Sequence, residues 1–345
     1  MSKIFFLIIA FVFINPCFSQ EAKDLFVITV NDKQGYIDET GKIVIEPQFE
    51  AASEFYDGLA RVEIDEKWGF INEKGGIVIE PQFVWAWDFS EGLAMVQVSG
   101  ARFYEKRSWG FIDKTGKVVI KPQFDELTGV AETSKGFREG LALVQVDYQK
   151  GFIDKSGKLV IGLRFEYAYH FTAEGLAAVK SSLNKNWGYI DKKGNWKIPP
   201  KFEDASLFSE NLAPVKFGKK CGFIDKTGKF VLHPFQSTGD CSVITGHFNN
   251  GLSRWKIRNN KFGYINKQGR IVIKPEYKYT DHFSEGMAWV IKTKKYGFID
   301  KTGKLVVEPQ FEHVDSFKNE LARVVTENKV GYIDKTGKYI WKPTK

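Results

Sequence analysis

The chain has 345 residues, 43% apolar, 15% aromatic and 27% charged, a composition that supplies a packed core and excludes intrinsic disorder. Its net charge of +8 comes from Lys and Arg interleaved with acids and forms no basic stripe, so no nucleic-acid partner is expected. Thirty-two glycines against three methionines suit a fold of many tight turns, and therefore β structure.

The first nineteen residues are a segment of their own. Lys3 gives a positive start, Ile4 to Ile14 is an unbroken apolar run, and Pro16-Cys17-Phe18-Ser19 leads to Gln20. The run is too short to span a bilayer as a helix and has the order of a secretory signal, so 1–19 is expected to be cleaved between Ser19 and Gln20. Ile14-Asn15-Pro16 lacks the small residue that should precede a lipidated Cys17. No later segment reaches membrane length, and the mature chain from 20 is expected in the periplasm or outside the cell.

From there to residue 345 one unit recurs. Gly-(Phe/Tyr)-Ile-(Asp/Asn) begins at Gly35, Gly69, Gly110, Gly151, Gly188, Gly222, Gly263, Gly297 and Gly331, at intervals of 34 to 41 residues. A fixed base period with small additions marks nine tandem supersecondary units, the first and last incomplete. In one unit, Tyr296 to Asp300 reads as a strand, Lys301-Thr302-Gly303 as a turn, and Lys304 to Glu308 as a second strand stopped by Pro309. Leu321 to Val325 then reads as a third, with a fourth if the stretch from Phe311 to Phe317 pairs.

The Asp-x-x-Gly turn follows from local chemistry. The Asp side chain accepts from backbone two residues on, and the Gly supplies the left-handed conformation. Asn72 and Asn266 replace Asp in two units, so hydrogen bonding rather than charge is what the position needs. In the strand after Phe-Ser-Glu-Gly, small Ala and Val alternate with a side that varies: Arg61, Met95, Leu143, Ala178, Pro214, Arg254, Trp289 and Arg323. Specificity is expected on the varying side. Insertions lengthen units at 99–108, 126–136, 181–186 and 235–246, and loops of this kind favour partner contacts. Cys221 and Cys241 are the cysteines left after cleavage, so in an oxidising compartment a disulfide between them is expected, with two buried thiols as the alternative.

Lys67-Trp68-Gly69-Phe70-Ile71, Trp109-Gly110-Phe111-Ile112-Asp113-Lys114-Thr115-Gly116-Lys117 and Phe89-Ser90-Glu91-Gly92-Leu93-Ala94 together resemble the WG-repeat family of bacterial proteins, also described as KWG repeats. The resemblance covers about residues 24 to 345. It implies architecture and leaves activity open. Only Trp68, Trp109 and Trp187 fill the Trp position, so that Trp reads as a packing residue.

Units this small cannot bury a face alone and must stack. The expected fold is all-β, a closed propeller-like ring in preference to an open solenoid. Leu25 to Val30 reads as the last strand of a unit that the C-terminal hairpin, Gly331 to Lys342, would complete. His170, His247 and His282 each precede a Phe in what reads as a generic loop position. No metal spacing, phosphate loop or nucleophile elbow is present, no cofactor is implied, and pairs such as Asp57 or Asp88 with Glu91 read as turn residues. The expected function is therefore an exported, non-catalytic binding or scaffold module for a protein or polysaccharide of the cell envelope. Its binding residues are expected to be the off-pattern Trp85, Trp87 and Trp289 with Arg61, Arg254 and Arg323. The alternative is a glycan hydrolase or lyase on a toroidal scaffold, which needs polar, unrepeated residues converging at one mouth.

Overall fold

The computed structural model describes residues 24–98, 108–128, 135–183, 185–218, 220–232, 246–256 and 261–344. The N-terminal segment expected to act as a secretory signal, Cys241 and the bulk of the insertions at 99–108, 126–136 and 235–246 lie outside the described residues. Every regular element within them is a β-strand.

Blade 1 is formed by β1 (Phe26–Val30), β2 (Lys33–Ile37) and β3 (Ile43–Phe49). Blade 2 adds the fourth strand: β4 (Ala51–Ala52), β5 (Ala60–Ile64), β6 (Lys67–Ile71) and β7 (Ile77–Phe83) pair in sequence order, all antiparallel. Blades 3, 4, 6, 8 and 9 repeat this plan from Trp85, Phe137, Asp204, Tyr279 and His313, and blade 7 begins at Leu252. A seven-stranded sheet holds blades 4 and 5, because Leu159–Ala168 serves both. Its first half pairs outward (Ile153 with Leu159) and its end starts the next blade (Ala168 with Val179). Nine blades result among the described residues.

The repeated residues have identifiable work. Asp113 Oδ1 accepts from Thr115 N at 2.9 Å and Lys117 N at 3.1 Å, and Asn72 does the same with Lys74 and Gly76. At the motif glycine, the outer strand bulges inward. A Cβ on Gly69 would lie 2.6 Å from the Ile79 carbonyl oxygen, closer than any side chain tolerates. The motif aromatic then meets the Phe of the following blade edge-on: Phe70 with Phe89 at 4.8 Å, Tyr189 with Phe208 at 4.7 Å, Phe298 with Phe317 at 4.8 Å. Such pairs contribute about 0.5–1.5 kcal/mol beyond the area they bury.

The ring is closed, but not by the phasing expected from the sequence. β1 belongs to its own blade, with Val30 opposite Lys33 across a tight turn, and the C-terminal Tyr339–Thr344 completes the sheet of His313–Val314, Leu321–Thr326 and Lys329–Asp334. Local hairpins satisfy both ends, so no strand is exchanged between them. Blade 9 packs directly on blade 1. Phe26 and Tyr332 meet edge-on at 5.5 Å, the Tyr332 hydroxyl donates to the Val27 carbonyl at 2.7 Å, and Phe26, Ile28, Ile37, Leu321 and Tyr332 share one core.

Candidate functional site at the hub

In blades 2, 3, 6, 8 and 9 the short first strand leads through a Phe to a tight turn, and in blades 4, 5 and 7 Phe137, Phe171 and Phe248 lead into the same turn. These turns touch their counterparts in neighbouring blades. Gly92 N donates to Asp57 at 2.6 Å, Gly140 N to Glu91 at 3.1 Å, Asn211 N to Glu174 at 3.2 Å, Gly251 N to Glu210 at 3.1 Å and Asn319 N to Glu285 at 2.6 Å. Equivalent residues of successive blades meet this closely only near the axis of a ring, so the turns form its hub. A lysine of the following blade adds an ion pair: Lys155 with Glu91 at 3.3 Å, Lys192 with Glu139 at 3.0 Å, Lys267 with Glu210 at 2.9 Å, Lys335 with Glu285 at 3.2 Å.

The acid is held against its local preference. Glu91 and Glu285 have φ of 53° and 50°, the left-handed region, where a residue with a long side chain loses about 1–2 kcal/mol that Asn or Gly would largely recover. Charge-assisted hydrogen bonds contribute about 1.5–3 kcal/mol each, so the clasp outweighs the strain. Burial acts to raise the Glu285 carboxyl, but the N–H groups of Glu320 and Asn319 and the Lys335 ammonium prevail and hold it below the usual carboxylate range.

The histidines that read as generic loop residues are gathered at the same hub. His247 and His282, from adjacent blades, stack at 4.6 Å with rings 7° apart. Burial, reinforced by Arg254 and His247, pushes His282 down to about 4. Burial also pushes His170 down to about 4, with Arg138 and His247 acting in the same direction. Their common place before the hub Phe was visible in the sequence; that this place converges on the axis was not.

The hub turns vary from blade to blade. Ser90, Ser209 and Ser284 each donate from Oγ to the hub Phe carbonyl of the next blade, at 2.5, 2.7 and 2.7 Å. Tyr56, Arg138, Thr172, Asn249 and Lys318 stand where that Ser stands in blades 2, 4, 5, 7 and 9. Lys135 of blade 4 occupies the place of Trp87 in blade 3, counting back from Phe137 and Phe89. Tyr56, Lys135 and Arg138 meet in a cleft of about 180 Å³ that Arg61, Trp87, Asp88 and Ser90 also line, among others. Arg61 lies 3.0 Å from Asp88 and donates to the Ala86 carbonyl at 2.7 Å. Arg61 and Lys135 both lie over the Trp87 indole, at 5.3 and 3.7 Å from the ring centre. Burial raises the Asp88 carboxyl, opposed by Arg61. Ser90 and Arg138 also line a hub cavity of about 570 Å³, with Glu91, Glu139, Glu174 and Glu210 in its wall.

The structure brings Trp85, Trp87 and Arg61 together: Trp85 lies 5.5 Å from Trp68 and 6.0 Å from Trp87. Trp87 is only 9% exposed and its indole holds cations, so it is no open platform for a ligand. The other three lie in blades 7 to 9. Arg254 donates to the Thr280 carbonyl at 3.0 Å, Trp289 packs edge-on against Tyr296 at 5.2 Å, and Arg323 lies 3.6 Å from Asp315. The varying side of the second strand is largely taken up by packing: Met95 and Leu143 are 1% exposed, and Arg61 reaches into the next blade. Cys221 is buried and disulfide-bonded. Among the described residues no group of three or more His, Cys, Asp or Glu is placed to hold a metal, and no helix is long and apolar enough to cross a membrane.

No curated protein matches the chain. Among solved structures it is similar to a eukaryotic initiation factor, with 13% identity over 92% of this chain and 95% of that one at a TM-score of 0.66. It is also similar to the computationally designed Ika8 protein, with 10% identity over 90% and 100% at a TM-score of 0.50. At such identities the likeness concerns the fold alone, and it agrees with a propeller-like ring. The model of the WG containing repeat matches residues 35–68, 68–100, 109–149, 151–182, 187–221, 262–296 and 296–329, and the chain belongs to that family.

Proposed function

We propose that this chain is an exported, non-catalytic binding module, and that its partner in the cell envelope, a protein or a polysaccharide, engages the hub cleft between blades 2, 3 and 4. The observation that carries the reading is that Tyr56, Trp87, Lys135 and Arg138, from three successive blades, depart from the repeat and line one cavity. Tyr56 and Arg138 put larger side chains than Ser into that cavity, and off-pattern residues are expected where function is selected over regularity. The paired groups of the hub support a binding rather than a catalytic role: Asp88 is engaged by Arg61 and Glu91 by Gly140 N and Lys155. Export rests on the N-terminal segment, and a mature chain beginning at Gln20 in mass spectra of exported material is the expected result.

Reversion to the pattern provides the test. Tyr56→Ser and Arg138→Ser install the residue that ties other hubs, so the melting temperature is expected to hold while capture of envelope proteins or polysaccharides by the full chain is lost. Capture unchanged in both variants would remove the cleft from consideration.

A further inference from the structure

We propose that a pocket between blades 5 and 6 binds one neutral sugar unit, a ring of vicinal hydroxyls, at a site that shares no residue with the hub cleft and does not depend on it. Blade 6 sets small side chains where blade 3 sets large ones. Asp204 and Trp85 begin their first strands opposite Lys216 and Gln97, which in turn face Cys221 and Trp109. Ser206 N and Trp87 N donate to the carbonyls of Pro214 and Met95, at 3.1 and 2.9 Å. Asp204, Ser206, Pro214 and Cys221 thus stand where blade 3 has Trp85, Trp87, Met95 and Trp109. Blade 5 does not fill the space from its side. Arg61 and Arg254 cross to the carbonyls of Ala86 and Thr280 in the next blade, whereas Ala178 stands at their place in blade 5. What remains is a cavity of about 200 Å³ lined by Tyr169 of blade 5 and by Asp204, Ser206 and Lys216 of blade 6. Ala205, Pro214, Val215 and the disulfide-bonded Cys221 form its apolar part.

The lining decides what kind of ligand fits. The Lys216 ammonium donates, and Glu203 holds it at 3.1 Å. The Asp204 carboxylate accepts: it forms no ion pair among the described residues, and its Oδ1 takes the Ala205 N–H at 2.9 Å. The hydroxyls of Tyr169 and Ser206 do both. Burial raises the Tyr169 hydroxyl, with the Asp204 charge acting in the same direction, so it keeps its proton at neutral pH. Charge is balanced around the pocket. Among the lining residues and their neighbours in sequence, Asp204 and Glu203 stand against Lys216 and Lys220, and burial pushes His170, beside Tyr169, down to about 4 and so keeps it neutral. Neither a cation nor an anion is favoured there. Donors and acceptors side by side in a small concave place match groups that also donate and accept, as vicinal hydroxyls do. The Tyr169 ring is stacked on Trp187 at 5.4 Å and 23°, which fixes it as a wall for the C–H face of a sugar.

Saturation-transfer NMR on the full chain tests this with the methyl glycosides of glucose, galactose, mannose and N-acetylglucosamine. The methyl glycoside of glucuronic acid serves as the anionic probe and N-acetyl-arginine amide as the cationic one. At least one neutral glycoside is expected to bind with a Kd on the order of 1 mM, and more tightly than either charged probe. Asp204→Asn and Tyr169→Phe, which keep the shape of the pocket, are expected to weaken it by about tenfold and about threefold without changing the melting temperature. Ser206→Trp, which restores the indole of blade 3, is expected to abolish it; should that variant fail to fold, the other two decide. No transfer from any of the four neutral glycosides, tighter binding of either charged probe, or affinity unchanged in Asp204→Asn and Tyr169→Phe would overturn the proposal. Envelope capture in the hub variants is a separate readout, so either reading can fail alone.

Discussion

The junction between blades 8 and 9 and the seam between blades 9 and 1 solve one problem with different parts. At the regular junction, Phe298 meets Phe317, Ser284 donates to the Phe317 carbonyl, and Glu285 clasps two backbone N–H groups and Lys335. At the seam blade 1 has no hub turn among the described residues. Phe26 takes the role of the missing aromatic, the Tyr332 hydroxyl finds the Val27 carbonyl, and Lys318 reaches past blade 1 to Glu54 and Tyr56 of blade 2. Tyr36, Tyr189 and Tyr264 use the same hydroxyl to reach the hub segment of the next blade. Aromatic packing is thus the constant of every junction, and the polar ties adjust to what each blade offers.

That ordering predicts the sizes of the effects. Phe317→Ala, at a regular junction, is expected to cost about 3–5 kcal/mol in denaturant unfolding, and Phe26→Ala at the seam a similar amount. A cost below about 1 kcal/mol for Phe26→Ala would mean that the seam is not packed as a junction.

Acid separates the two regions next. His170 and His282 lie at regular junctions and are pushed down to about 4, against about 6.5 in an unfolded chain. The unfolded chain therefore binds the extra protons first. Stability is expected to be intact above about pH 6.5 and to fall towards pH 4, by up to about 3 kcal/mol for each group. The seam has Ser316 in blade 9 and Glu54 in blade 2 at the equivalent places, so no histidine of this series lies there. His170→Leu, which copies Leu207 of blade 6, should flatten the profile measured by denaturant midpoint; an unchanged slope would contradict the assignment.

The smallest effect sets local preference against the clasp. Asn suits the left-handed turn better than Glu, and blade 7 has Asn250 there, which donates to the Phe283 carbonyl at 3.3 Å. If conformation dominated, Glu285→Asn would stabilise the protein. The clasp predicts a net loss of about 1–2 kcal/mol in thermal unfolding, because two charge-assisted bonds and the Lys335 pair weaken together.

Much of this was legible in the sequence because it is local. The Asp-x-x-Gly turn at Asp113, the hairpins and the nine units follow from contacts a few residues apart, and repetition multiplies the signal. The hub was not legible because its bonds run between units. Nothing near Glu91 marks it as the acceptor for Gly140 N, and the periodic place of His247 and His282 does not tell whether that place faces the axis or the rim. The seam misled for a related reason: an unfinished unit at each end suggests exchange of a strand, yet the Val30 to Lys33 turn is already a complete hairpin signal. In the cleft, Trp87 and Arg61 stood out as departures, whereas Lys135 and Arg138 beside an insertion did not, although they supply its charge.

Zero-length carbodiimide coupling tests closure most directly, since it joins a lysine to a carboxylate only where the two are in contact. Peptide mapping is expected to find Lys318 joined to Glu54, 264 residues away in sequence, alongside the regular pairs Lys155 with Glu91 and Lys335 with Glu285. Recovery of the regular pairs without the Lys318 to Glu54 product in monomeric protein would contradict a closed ring and return the chain to an open array.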